Sequence, residues 1–130
     1  MALTLIKHNN AVEFDTRERC SIIEILNDQQ SPHLSVARCK VNPGVTTELH
    51  SLSGTKEVYL IEEGRGMMDD GTCKPFTVKP GDSITIPPDY PQRIKNIGKV
   101  DLVFKVVCTP RFMPACYTPL VEGNTSAGKL

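Results

Sequence analysis

Apolar and polar residues along this chain alternate over short runs, and each run is cut by glycine, proline or asparagine. Between the cuts lie SIIEIL (21–26), LSVARCKV (34–41), TTELHSL (46–52), EVYLIEEG (57–64), GRGMMDD (64–70), KPFTVKP (74–80), DSITIPP (82–88), QRIKNIG (92–98) and VDLVFKVVCT (100–109). They have the length and the Val, Ile, Leu and Thr content of strands, whose pleated surface suits β-branched side chains. No window sustains an apolar period of three to four residues over ten positions, so little helix is predicted. Asn27-Asp28, Asn42-Pro43-Gly44, Asp69-Asp70-Gly71 and Lys79-Pro80-Gly81-Asp82 read as turns. In them Gly supplies positive φ, and Pro or Asn starts the reversal. This cadence predicts an all-β sandwich or barrel.

The 130 residues are enough for one domain with a real core and too few for two, so 1–130 is read as a single unit. Fifteen basic and fifteen acidic residues give a net charge of zero, which removes the basic excess that nucleic acid or an anionic membrane would require. The opening MALTLIKHNNAVEF has too short an apolar run for a signal segment or a membrane span, and a cytoplasmic location is expected. Five cysteines, Cys20, Cys39, Cys73, Cys108 and Cys116, are odd in number and form no CxxC pair. They read as free thiols in a reducing compartment; the alternative is one reactive thiol in a pocket, at Cys39 or Cys108. The last ten residues, VEGNTSAGKL (121–130), are small and polar and read as a flexible tail.

Two glycine-started segments share a layout. The first runs Gly44, His50, Leu52, Glu57, Gly64 (44–64), and the second Gly81, Pro87, Asp89, Gln92, Asn96 (81–96). At these spacings the sequence resembles the cupin superfamily, whose motifs are G-x5-H-x-H-x4-E-x6-G and G-x5-P-x-G-x2-H-x3-N. The resemblance implies a double-stranded β-helix, or jelly-roll barrel. It leaves function wide open, because that superfamily spans dioxygenases, isomerases, lyases, cyclases and binding domains. Three positions depart from the pattern: Leu52 for the second His, Asp89 for Gly, and Gln92 for the last His. Members of the superfamily usually hold a divalent metal through three His and one Glu. Here the corresponding metal set is His50, Glu57 and Gln92, with manganese, iron, nickel or zinc as the candidate ion, or no metal at all.

Strand alternation places Thr46, Glu48, His50 and Leu52 on one face, Glu57, Tyr59 and Ile61 on another, and Gln92, Ile94 and Asn96 on a third wall. Glu48 could then make up a metal site that has lost two imidazoles. Without metal, His50 can serve as a base, Glu57 or Glu48 can orient it, and Tyr59 can donate a proton, so the four form a catalytic candidate set. The alternative for Gln92 is a hydrogen bond to Glu57. Arg38, Gln92, Leu52 and Asn96 are the candidate substrate contacts, with Arg38 as an anion clamp; Arg93 should face away, and His8 and His33 should lie exposed in loops. The segment CTPRFMPACY (108–117) carries Phe112 and Met113 between prolines, an apolar patch that needs covering. A homodimer is expected there or at the N-terminal strands, the alternative being a lid over the chain's own pocket.

The expected function is a small-molecule enzyme working by acid/base or metal-assisted proton transfer (isomerase, cyclase or lyase) on a small polar or carboxylated metabolite. The alternative is a non-catalytic module binding a small ligand or partner. A metal-dependent dioxygenase is disfavoured, since such iron sites need two His and a carboxylate.

Overall fold

The computed structural model describes residues 3–7, 13–16, 19–72 and 74–121. His8, Cys73 and the expected tail from residue 122 lie outside them. Eleven strands follow in order: β1 Phe14–Asp15, β2 Ser21–Leu26, β3 Ser35–Val41, β4 His50–Leu52, β5 Lys56–Glu63, β6 Gly66–Asp69, β7 Phe76–Val78, β8 Ser83–Ile86, β9 Arg93–Asn96, β10 Leu102–Thr109 and β11 Tyr117–Pro119. A 3-10 turn, Pro114–Cys116, precedes β11. The nine predicted runs all contain a strand.

One antiparallel sheet has the order β1-β2-β3-β10-β5-β8. The pairs β11-β4 and β7-β6-β9 make the facing sheet, because bridges at Thr46↔Lys95 and His50↔Gln92 join β4 and its approach to β9. The inward side chains of β3, β10 and β5 meet in rungs set by register. Ser35, Cys108 and Glu57 share one rung; Ala37, Val106 and Tyr59 the next; Cys39, Phe104 and Ile61 the third; Val41 and Leu102 the last. The far end is solid, with Val41, Ile94 and Leu102 at zero exposure and Ile61, Met68 and Val78 in the same core cluster. Ser35, His50, Glu57 and Gln92 are buried toward the other end, while Asn96 is buried at this one.

The predicted run 46–52 is extended, but its alternation slips. Between its two bridges the chain takes four residue steps, from Thr46 to His50, against three on the partner, from Lys95 to Gln92. The extra residue is a β-bulge, which reverses the faces on one side of it relative to the other. Thr47 donates its backbone N–H to Ile94 O and is the residue that turns in, whereas Leu49 is buried against Gly71. Glu48 thus does not share the inner face with His50, contrary to the alternation expected from sequence.

Candidate functional site

A cavity of about 410 Å³ lies between the sheets, walled by Leu52, Tyr59, Phe104, Val106, Phe112 and Tyr117 and bearing His50, Glu57, Thr47 and Cys108. Its rim is the β1-β2 edge and the segment after β10, where Phe14, Glu24, Pro114 and Pro119 are exposed. Volume and lining both suit a small organic molecule.

His50 is 3 % exposed. Its Nδ1 lies 2.7 Å from Glu48 O. A carbonyl can only accept, so Nδ1 carries the proton and Nε2 is the nitrogen with the lone pair in the neutral ring. The ring stacks on Tyr117, with centroids 4.8 Å apart and planes 14° from parallel. Tyr117 is in turn fixed by its hydroxyl, which donates to Glu48 Oε1 at 2.6 Å. Glu48 therefore holds His50 twice, through its own carbonyl and through Tyr117, and does so from outside the cavity lining.

Glu57 is 6 % exposed and receives two hydrogen bonds. Gln92 Nε2 donates to Oε1, and the Cys108 thiol donates to Oε2 at 3.8 Å. Burial, the Glu57 carboxylate and Cys116 together push the Cys108 thiol well above its ordinary value. It stays a protonated donor, which removes it as a nucleophile. Cys39 and Cys20 are buried and also line the cavity.

The remaining sequence candidates separate cleanly. Leu52 is a cavity wall and Tyr59 stacks on Phe104 at 4.7 Å inside it. Asn96 is fully buried away from the cavity and donates to Val41 O and Val100 O at 2.9 and 2.8 Å while accepting from Gly98 N at 2.9 Å. Its capacity is used in tying β3, β9 and the following turn together, so it is not a substrate contact. Arg38 is on the outer face of β3, 3.7 Å from both Glu62 and Glu63, and does not reach the cavity. Arg93 faces away as expected, bound to Asp69 at 2.9 Å, and His33 is exposed. Two lining residues, Tyr117 and Thr47, escaped the sequence reading. The first is brought in by a long-range strand pairing and the second by the bulge.

The donor set does not fit a transition-metal ion. One imidazole and one carboxylate remain, both carboxylate oxygens accept hydrogen bonds from within the protein, and Gln92 turns its N–H rather than its oxygen toward Glu57. Among the described residues no three His, Cys, Asp or Glu side chains are placed to hold a metal ion. With Glu48 turned out by the bulge, it does not complete the set.

Two facing antiparallel sheets closed at one end and holding a small-molecule cavity at the other define a double-stranded β-helix barrel. The chain belongs to the cupin superfamily: a family model described as "Cupin domain" matches residues 37–108. An uncharacterized protein of Methanocaldococcus jannaschii is 36% identical over 110 residues, covering 83% of this chain and 86% of that protein. A predicted oxalate decarboxylase of Thermotoga maritima superposes with a TM-score of 0.71 at 23% identity, over 82% of this chain and 99% of that one. The polyketide cyclase RemF of Streptomyces resistomycificus does so with a TM-score of 0.73 at 16% identity, over 94% and 88%. At these identities the structural likeness carries the fold alone. No helix among the described residues is long and apolar enough to cross a membrane.

Proposed function

We propose that this chain is a metal-independent acid/base enzyme of the cupin type, acting on a small, largely apolar molecule by proton transfer. The observation that carries the reading is the fixing of His50: its proton is committed at Nδ1 to Glu48 O, and Tyr117 clamps the ring in the cavity that Glu57 also lines. A base must be held in one tautomer and one orientation before it can accept a proton at a defined atom. His50 Nε2 takes the proton from the bound molecule, and Glu57, held by Gln92, supplies the second polar group; isomerisation, cyclisation and elimination need no more than such a pair. The lining amends the expected substrate, since the walls are apolar and Arg38 is outside.

The test uses chelator-treated protein in deuterium oxide with a panel of enolisable aryl ketones, read by mass spectrometry. Deuterium uptake is expected, insensitive to chelator and reduced at least about a hundredfold in His50→Gln. Uptake that needs added metal, or that survives His50→Gln, would sink the reading. A second reading, a ligand-binding module without turnover, is favoured by Leu52 and Gln92 standing where the motif has histidines. Ligand binding with no uptake in either protein would select it.

A further inference from the structure

We infer that the cavity selects an organic cation, a primary ammonium carried on an apolar body of about one aromatic ring and a short chain. This deepens the reading above by naming the ligand class for the same cavity.

The first ground is the charge of the lining. Its formally charged carboxylates are Glu24 at the rim and Glu57 inside, and no Lys or Arg lines it among the described residues. The cations of the neighbouring strands are turned elsewhere: Arg38 and Lys105 bind Glu62 on the outer face, and Arg111 Nε donates to Asn27 Oδ1 at 2.9 Å. A carboxylated ligand entering here would be stripped of water beside Glu57 with no Lys or Arg to replace it, which is costly.

The second ground is the direction of the buried hydrogen-bonding groups. Gln92 spends its N–H on Glu57 and leaves Oε1 buried with no partner. Gln92 thus braces the Glu57 carboxylate from behind the cavity wall, as a donor. Donors at the same end are directed at carboxylates, the Cys108 thiol at Glu57 and the Tyr117 hydroxyl at Glu48. His50 presents its lone-pair nitrogen, Nε2. An ammonium head brings three N–H donors and a positive charge to a set dominated by acceptors.

The third ground is the walls. The stacked pair Tyr59 and Phe104, with Tyr117 and Phe112, lines the space with aromatic rings, which attract cations as well as apolar surface. A ring and short chain fit a cavity of about 410 Å³.

The experiment is calorimetric titration of the full chain at low salt with three probes sharing one body: phenethylamine, phenethyl alcohol and phenylacetate. The amine is expected to bind at least about tenfold tighter than the alcohol, with phenylacetate weakest. Glu57→Gln should bring the amine to the level of the alcohol, whereas Glu24→Gln at the exposed rim should change its affinity by less than about threefold. Phenylacetate or alcohol equalling the amine, no binding of any probe, or manganese displacing the amine through Glu57 would each overturn the inference. Because the three-probe comparison needs only the native chain, a Glu57→Gln protein that does not fold leaves the test intact. Turnover is not read here, so amine preference without deuterium uptake would retain the ligand class and remove the enzyme, and uptake without amine preference would do the reverse.

Discussion

Asp89 occupies the second-motif glycine position with φ of +66°, a region that Asp tolerates better than most residues. Its side chain gains something glycine could not: Asp89 Oδ1 accepts from Gly54 N at 3.0 Å and pins the β4–β5 turn beside His50. This departure from the motif is thus a structural substitution. Gly64 is the reverse case, at φ of +82° with the place of a Cβ only 2.7 Å from Asp101 O, so that first-motif position admits glycine alone. Cys108 carries the residue-scale prediction. Its thiol is held above the ordinary value of 9.0, so above that pH the unfolded chain gives up a proton that the native one keeps. Stability from this group is complete below about pH 9 and falls as pH rises, by at most about 1.4 kcal/mol per unit. Urea midpoints measured from pH 7.5 to 10.5, a range chosen to straddle the thiol's ordinary titration, should fall more steeply in the native chain than in Cys108→Ala. Parallel slopes would refute the assignment.

At the scale of elements, the 3-10 turn and β11 form the cavity wall that the sequence reading offered only as an alternative to a dimer contact. Phe112 N–H donates to Ser35 Oγ at 2.8 Å, and Asn27 holds the same segment from both sides, donating to Phe112 O and accepting from Arg111, each at 2.9 Å. Asn27→Ala should therefore free the segment while leaving the sheets paired. Hydrogen exchange at residues 111–117 is expected to quicken about tenfold, with a loss of about 1–2 kcal/mol in stability. Unchanged exchange there would show that Asn27 is not the latch. The strands were legible because their periodicity is local. What was not legible depended on partners far away: β11 is three residues ending in proline, and Tyr117 reaches Glu48 across 69 positions of chain. The bulge was not read either: Leu49 and Leu52 stand three positions apart in TTELHSL, out of phase for one face, but only a second strand shows where the register shifts. Hence Glu48, read as facing inward, turned out to act through its carbonyl and Tyr117.

At the scale of the whole molecule, several large apolar side chains stand exposed, some of them on and before the edge strand β1. Leu3 and Leu5 are 103% and 80% exposed, and Phe14 and Met113 about half so. β1 is the edge of its sheet, two residues long, and such edges are ready to pair. We propose a homodimer through this region. Light scattering should give twice the chain mass, and the double variant Leu3→Asp, Leu5→Asp should return the monomer with unchanged thermal stability of the barrel. A native chain that scatters as a monomer at micromolar concentration refutes it.

The rungs of the barrel also separate two kinds of freedom. Val41, Leu102 and Ile94 fill the closed end, while Ser35, Cys108 and Glu57 occupy one rung at the other end. Descent with modification can therefore rewrite that rung and its neighbours without endangering folding. Leu52 and Gln92 stand at two such positions, where the superfamily motifs have histidines, and the hydrophobic seal below them is intact.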